Sequence, residues 1–209
     1  MQAPEIELKF PVADPTALQA LLPELGFHLD TPRTFESNTL YDTPDRRLQE
    51  QRQLLRLRQY AGVWTITHKR QPGVEEPGGN GETDRYKVRI ETEAHVDDGP
   101  AMEEIFLRLG YGPVFRYEKF RTEWSHPVLS EDGSEPATGH LVIDETPIGN
   151  YAELEGPMDW IDAMLAKLGI DHERCLTDSY GRLFLAWKQK TGSPAENLTF
   201  AEIGAGVLA

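Results

Sequence analysis

The sequence has little cysteine and no long apolar run. Cys175 is its single cysteine, which excludes an intramolecular disulfide framework and a cysteine-rich zinc site, so we expect a small buried or half-buried side chain there. No apolar run approaches the roughly 18 residues that a membrane-spanning helix needs. The chain opens with a charged strand rather than the apolar region of a signal peptide. We therefore expect a cytoplasmic protein that does not enter a membrane.

Positive charge is also scarce. The 209 residues include 21 Lys and Arg against 35 Asp and Glu, which gives a formal net charge of −14. Nucleic acids and anionic membranes bind basic surfaces, so this balance argues against both as partners. Hydrophobic residues at 39% and charged residues at 27% are typical of a soluble globular protein. Any basic patch on this protein must therefore be local.

Alternation of apolar and charged residues with period two predicts about eight β-strands. They are residues 5–10, 35–41, 53–60, 63–69, 85–93, 114–124, 140–145 and 151–155. Helical spacing of apolar residues, with capping residues and stops, predicts helices at 15–25, 100–109, 158–168 and 179–188. The stretches 71–84 and 130–139 lack periodicity and are predicted as loops, the first a mobile flap near the mouth of the site.

The elements predict an α+β protein with a mainly antiparallel sheet. Antiparallel strands in this number commonly close into a barrel or fold into a sandwich. We expect residues 1–190 to form one domain. Residues 191–209 form a C-terminal tail, which either docks as a helix or frays at its end.

One face of nearly every predicted strand carries charge. In the first strand Glu5, Glu7 and Lys9 share one face, opposite Ile6 and Leu8. The pattern recurs at Arg56, Arg58, Lys69, Lys87, Arg89, Glu91, Glu93, Lys119, Arg121, Glu123, Asp144, Glu153 and Glu155. Eight of the 21 basic residues of an acidic protein therefore fall on these faces.

The charged faces point either to solvent or into a closed barrel. A half-exposed sheet would tolerate them as cross-strand ion pairs, each worth at most about 1 kcal/mol. Such a surface more often mixes Thr, Ser, Gln and Lys, whereas Arg and Glu dominate here. We therefore favour a closed barrel of about eight antiparallel strands, with the charged face inside and helices packed on the apolar outside. A lumen so rich in cations must hold an anion, because uncompensated buried charge is costly.

The anion that best suits these cations is a polyphosphate, since Arg binds its oxygens bidentately and Lys acts as a point charge. Glu5, Glu7, Glu153 and Glu155 then supply hard oxygen ligands for Mg²⁺ or Mn²⁺, which bind through a few carboxylates and substrate phosphates. Adjacent carboxylates repel unless something cationic lies between them. A divalent metal between Glu5 and Glu7 would meet that need.

At this point the chain resembles a known family. Glu5-Ile6-Glu7-Leu8-Lys9 is similar to the Glu-x-Glu-x-Lys signature of the CYTH superfamily, the triphosphate tunnel metalloenzymes. The resemblance continues in order through Tyr41 to Thr43, Leu55 to Arg58, Thr65 to Lys69, Arg89 to Glu91, Lys119 to Arg121, Asp144-Glu145, Tyr151 to Glu155 and Ser179-Tyr180. It covers roughly residues 3 to 188, and eight blocks in register with the strand alternation make it specific.

The resemblance implies an eight-stranded antiparallel tunnel that binds a triphosphate lengthwise and uses Mg²⁺ or Mn²⁺. By position, it implies that phosphate is bound by Lys9, Arg56, Arg58, Lys69 and Arg121. Further candidates for phosphate binding are Lys87, Arg89, Lys119 and, one turn into the last helix, Arg182; Lys87 either faces the lumen or pairs with Glu93. The resemblance implies that metal is held by Glu5, Glu7, Glu91, Asp144, Glu153 and Glu155. Lys9, with Glu5 and Glu7, is the implied catalytic group. Tyr180 is expected to be a packing residue behind the helix cap Ser179.

Relatives of this family include inorganic triphosphatases, thiamine triphosphatases and class IV adenylyl cyclases. We expect metal-dependent hydrolysis of a small-molecule triphosphate, with inorganic triphosphate favoured, by a monomer or homodimer. A cyclase needs groups that seat the base and sugar of ATP, and the loop 71–84 contains no aromatic residue. The alternatives that stay open are class IV adenylyl cyclase, thiamine triphosphatase and a polyphosphate-binding module without enzyme activity.

Overall fold

The computed structural model describes residues 4–73, 76, 85–128 and 137–204. In that part of the chain eight strands form one closed barrel, in the order β1-β5-β4-β3-β2-β6-β7-β8, with every neighbouring pair antiparallel. The strands are β1 Glu5–Val12, β2 His28–Asp42, β3 Leu54–Tyr60, β4 Val63–Arg70, β5 Lys87–Val96, β6 Gly112–Val128, β7 Ala137–Thr146 and β8 Gly149–Glu155. The predicted α+β class and closed antiparallel barrel are confirmed.

Six α-helices lie among the described residues. They are α1 Pro15–Leu21, α2 Arg47–Glu50, α3 Gly99–Arg108, α4 Met158–Leu168, α5 Tyr180–Thr191 and α6 Phe200–Ile203, with 3₁₀ turns at Leu22–Leu25 and His172–Arg174. The side chain of Asp14 accepts hydrogen bonds from the first-turn amides of α1, and Gly26, at φ 88°, ends the 3₁₀ turn that follows. The capping signals therefore act as the sequence predicts.

Several predicted boundaries were wrong. β2 and β6 are 15 and 17 residues long, well beyond the predicted 35–41 and 114–124, because they pair with each other through register shifts that interrupt the alternation. α5 runs to Thr191, past the predicted end at 188, although Ser179 is its N-cap as the sequence predicts. The predicted loop 130–139 overlaps β7 at 137–139. Residues 129–136, and all of the predicted flap beyond residue 73 except residue 76, lie outside the described residues.

The short helix α2 was not predicted, because four residues show no helical period. The Asp42 carboxylate accepts hydrogen bonds from the backbone amides of Thr43, Leu48 and Gln49, at 2.7, 2.9 and 3.0 Å. One carboxylate thus binds both the turn after β2 and the start of α2. The turn-prone residues predicted at 42–45 are part of this structure.

The apolar faces of the strands pack outward against helices. Alternation brings Leu8 and Phe10 of β1, Leu154 of β8 and Leu141 of β7 into one buried cluster with α4. A second cluster joins α5 to β6 through Phe184, Tyr117 and Leu198. The backbone amide and carbonyl of Leu198 bond to residues 116 and 118 of β6, which fixes the segment before α6 on the barrel. With the apolar faces covered outside, the charged faces lie inside.

No helix in the described ranges is long and apolar enough to cross a membrane.

Candidate active site in the barrel lumen

The barrel encloses a cavity of about 400 Å³ whose lining is mostly charged. The predicted site residues that line it are Glu5, Glu7, Lys9, Arg56, Arg58, Lys69, Lys87, Glu91, Lys119, Arg121, Glu153 and Glu155. Three other predicted residues, all of them described, do not line it: Arg89, Asp144 and Arg182. The cavity also reaches Asp30, Glu123 and His140, where β2, β6 and β7 meet.

Strand register brings opposite charges together. Lys9 of β1 is paired with Glu153 of β8, Lys69 of β4 with Glu91 of β5, and Lys119 of β6 with Glu36 of β2. Directly opposed side chains on one face of an antiparallel pair lie close enough to interact. The lumen is therefore a network of cross-strand ion pairs, not a uniformly basic tube.

The two glutamates of β1 are each bound by a lysine. The Lys69 ammonium lies 2.7 Å from a Glu5 carboxylate oxygen and 2.8 Å from an oxygen of Glu91. The Lys87 ammonium donates to Glu7. Lysines thus supply the cations that relieve the repulsion between the carboxylates of Glu5 and Glu7 in this structure.

Lys9 is almost completely buried, with 2% of its surface exposed. Its ammonium lies 3.1 Å from a Glu153 oxygen, donates to the carbonyl oxygen of Asp178 at 2.9 Å, and is 4.0 Å from the centre of the Tyr180 ring. Three fixed partners hold the ammonium in one position at the wall of the cavity.

Asp144 is fully buried beneath the cavity and binds cations. Arg121 donates to both of its carboxylate oxygens at 2.7 Å, and Lys119 donates to Oδ2 at 2.9 Å. The Tyr180 hydroxyl donates to the same oxygen at 2.6 Å. The sequence predicted Asp144 as a metal ligand; in this arrangement its oxygens are bonded to the cations and the hydroxyl that surround it.

Sequence reasoning missed Glu36, which is fully buried next to the phosphate-binding candidates. Burial alone would raise its pKa, but the charges of Lys119, Arg121, Arg56 and Arg58 lower the pKa to about 2. The carboxylate is therefore a permanent internal counter-charge. The signal was weak, because the other polar residues of β2, such as Ser37 and Thr39, obscure the alternation.

The two arginines of β3 differ in their partners. Arg56 lies 3.4 Å from Glu93 and 3.7 Å from Glu91, and it donates to the Tyr117 hydroxyl at 3.3 Å. Arg58 lines the cavity, and its charge acts on Glu36 and Glu93, but among the described residues no carboxylate lies within ion-pair distance of it. Arg58 is therefore a cation that is available to an anion in the lumen.

Carboxylates are in excess where β1, β5 and β8 meet. Burial raises the pKa of Glu155 to about 7, helped by the charges of Glu5 and Glu7. Burial also raises the pKa of Glu91 to about 8. The positive charge of Lys69 opposes this rise, and the negative charge of Glu5 adds to it. Hard carboxylate oxygens that repel one another are the donor set that a divalent cation prefers. These residues fit a divalent metal.

Lysines already bind three of these carboxylates: Lys69 binds both Glu5 and Glu91, which lie within hydrogen-bonding reach of each other, and Lys87 binds Glu7. Within the described ranges, no three His, Cys, Asp or Glu side chains form a ready-made metal centre. A divalent ion at this point would therefore need the glutamates to leave their lysine partners.

Comparison with known proteins agrees with this architecture. A candidate adenylate cyclase of Methanocaldococcus jannaschii is 23% identical over 177 residues, which make up 84% of this chain and 95% of that protein. A solved structure of a candidate adenylate cyclase from Vibrio parahaemolyticus superposes with a TM-score of 0.67 at 17% identity, covering 88% of this chain and 99% of the other.

A third relative is HpAC1 from Hippeastrum, described as a candidate adenylyl cyclase with a dominant triphosphatase activity. Its TM-score is 0.54 at 18% identity, covering 90% of this chain and 96% of that one. At this identity both structural similarities show the fold alone. The family model of the CYTH domain matches residues 3–159. Since that match spans well over half of the chain, this protein belongs to the CYTH domain family.

Proposed function

We propose that this protein hydrolyses a triphosphate in the lumen of its barrel, with inorganic triphosphate as the favoured substrate and Mg²⁺ or Mn²⁺ as the cofactor. The observation that carries the proposal is the set of cations that converges on the cavity of the barrel, in which Arg58 lies within ion-pair distance of no described carboxylate. An anion with several oxygens is the ligand that such a cavity stabilises. Membership of the CYTH domain family supports the same substrate class.

Binding would proceed as an exchange of partners. Lys69 and Lys87 are bonded to Glu5 and Glu7 before substrate arrives. Phosphate oxygens that take over the lysines would release these glutamates, which together with Glu155 would then hold the divalent ion. Substrate and metal would therefore bind cooperatively. The phosphates would compensate the lysines that the glutamates leave, and the divalent ion would compensate the glutamates that the lysines leave.

Catalysis would rest on positioning and on charge. When bound, the divalent ion would neutralise the negative charge on phosphate oxygens and lower the pKa of the water that it coordinates. The side chains do the rest: Arg56, Arg58 and Arg121 neutralise charge as it develops on the transferred phosphoryl group. Lys9, held by Glu153 and by the carbonyl of Asp178, would orient the attacking water toward a terminal phosphorus.

Hydrolysis is favoured over cyclisation because the cavity offers little to seat a nucleobase. Among the described residues that line it, Tyr180 is the only Phe, Tyr or Trp. Its hydroxyl is bonded to Asp144 and its ring lies over Lys9, so it is not free to stack on a base. Cyclisation of ATP would need a group that holds the ribose in line with the α-phosphorus.

The experiment is a parallel assay of phosphate release and cyclic AMP formation. Inorganic triphosphate, thiamine triphosphate and ATP are each supplied with Mg²⁺ or Mn²⁺. We expect phosphate release, fastest with inorganic triphosphate. Cyclic AMP formation that outpaces phosphate release at saturating ATP would overturn the proposal in favour of a cyclase, the activity for which the Vibrio and Methanocaldococcus relatives are named. Binding without turnover of any substrate would favour a polyphosphate-binding module.

A further inference from the structure

Tyr180, the first residue of α5, belongs to the core cluster that joins α5 to β6, and it also reaches the lumen. It lines the cavity with only 7% of its surface exposed. The segment before it is tied to β1, because the Lys9 amide donates to the Leu176 carbonyl at 3.2 Å and the Leu176 amide donates back at 2.7 Å. Ser179 caps the helix start. The start of α5 is thus fixed against the barrel wall.

The Tyr180 hydroxyl acts on the cations through Asp144. It donates to Asp144 Oδ2 at 2.6 Å, and the same oxygen accepts from Lys119 at 2.9 Å and from Arg121 at 2.7 Å. Because Asp144 is fully buried, its orientation depends on these three donors. The direction in which Lys119 and Arg121 present their charge to the cavity depends on that orientation in turn.

The ring of Tyr180 is itself held in place. It lies 4.0 Å from the Lys9 ammonium and 5.0 Å from that of Lys119, both within the range of a cation–π contact. On its other sides it stacks on Tyr117 and meets Tyr151 edge-on, with ring centres 5.9 Å apart in both cases. One side chain thus contacts two lysines of the lumen and, through Asp144, the arginine beside them.

We propose that Tyr180 is a positioning residue for the triphosphate: its hydroxyl orients Asp144, and Asp144 aims Lys119 and Arg121 at the phosphate oxygens. The inference rests on the proposed function, since it assumes that the lumen binds a triphosphate. It differs from a packing role, which would need the ring but not the hydroxyl. Charged groups held by fixed partners bind an anion without first having to be ordered.

The test compares Tyr180→Phe with Tyr151→Phe. Both variants lose one hydroxyl from the same aromatic cluster, but the Tyr151 hydroxyl makes no hydrogen bond within the described residues and Tyr151 does not line the cavity. The readouts are kcat/KM for inorganic triphosphate, and calorimetric Kd for a triphosphate whose bridging oxygens are replaced by imido groups. We expect Tyr180→Phe to weaken Kd and kcat/KM about tenfold, and Tyr151→Phe to stay within about twofold.

A double-mutant cycle separates positioning from packing. If the hydroxyl acts through Asp144, Tyr180→Phe costs much less in an Asp144→Asn background than in the wild type. If Asp144→Asn does not fold by circular dichroism, the Kd comparison of the two tyrosine variants decides alone. A lowered melting temperature with unchanged Kd in Tyr180→Phe would overturn the inference and leave the proposed function intact.

The two proposals fail in different ways. Wild type that binds the imido analogue but releases no phosphate would refute hydrolysis, while the Kd comparison would still test Tyr180. Wild type that does not bind the analogue would refute both.

Discussion

Glu36 gives a quantitative test of the charge balance in the lumen. Its carboxylate is fully buried beside Lys119 and Arg121, and its pKa is about 2 rather than 4.5. Glutamine has the shape of a protonated glutamate, so Glu36→Gln removes the charge and keeps the volume. A pKa lowered to about 2 corresponds to a contribution of about 3 kcal/mol to the free energy of unfolding at neutral pH.

The pH dependence of this contribution follows from the direction of the shift. The folded-state pKa lies below the unfolded-state value, so the contribution is fully present above about pH 4.5 and is lost as the pH falls toward 2. We therefore expect Glu36→Gln to be about 3 kcal/mol less stable than wild type at neutral pH. The difference should shrink below about pH 4.5 and vanish near pH 2.

Urea unfolding followed by tryptophan fluorescence measures this difference, since Trp124 and Trp160 are buried. The series runs from neutral pH down to about pH 3, where the wild-type advantage should already be much reduced. Glu104→Gln is the matched control, because it breaks an exposed pair with Arg108 that is worth about 0.5 kcal/mol at most. Equal stability of Glu36→Gln and wild type at neutral pH, or a deficit that does not change with pH, would show that the charge of Glu36 does not stabilise the fold.

Two further predictions concern residues on either side of the barrel wall. Arg58→Ala should raise KM for triphosphate about tenfold or more, with little change in the urea midpoint. Arg121→Ala should instead lower the free energy of unfolding by about 3 kcal/mol, because it removes a cation that binds the buried Asp144 carboxylate. Equal destabilisation by the two changes would contradict this. The Tyr86 hydroxyl donates to Asp162 at 2.6 Å, and burial, with that carboxylate, raises its pKa to about 12. The stability advantage of wild type over Tyr86→Phe should therefore be full below about pH 10 and disappear toward pH 12 in thermal unfolding scans; an advantage that persists above pH 12 would count against it.

The barrel and most of its lumen could be predicted because the relevant information is local. Period-two alternation places Glu5, Glu7 and Lys9 on one face whatever the strand pairs with. A charged face dominated by Arg and Glu, rather than by the mixture of Thr, Ser, Gln and Lys that is usual on a solvent face, favoured the inside of a barrel, where a bound anion compensates the buried cations. Closure of the sheet around those faces followed from that argument, and the resemblance to a family pointed to the same residues.

The residues that were missed depend on pairing between distant segments. Glu36 is defined by the register of β2 with β6, which local alternation in β2 does not reveal. Tyr180 packs in a core cluster as the sequence predicted, but its hydrogen bond to Asp144 depends on the docking of α5 on the barrel, which the sequence did not show. Asp144 has the residue type of a metal ligand, but its partners come from β6 and α5. Helix caps, by contrast, were predictable because the cap and the helix are neighbours in the chain.

Metal-dependent phosphate release from inorganic triphosphate, measured for wild type and for Glu5→Gln, tests whether the lumen hydrolyses a triphosphate with a divalent ion that Glu5 helps to hold. We expect wild type to turn over only with Mg²⁺ or Mn²⁺ and to lose activity when a chelator removes the metal. Glu5→Gln should fold normally by circular dichroism but lose turnover at least about a hundredfold, because it removes one of the carboxylates that would hold the ion. Glu104→Gln, the same change at an exposed pair, should keep full activity. Wild-type turnover without any divalent metal, or full activity of Glu5→Gln, would contradict hydrolysis through a metal held by the β1 glutamates.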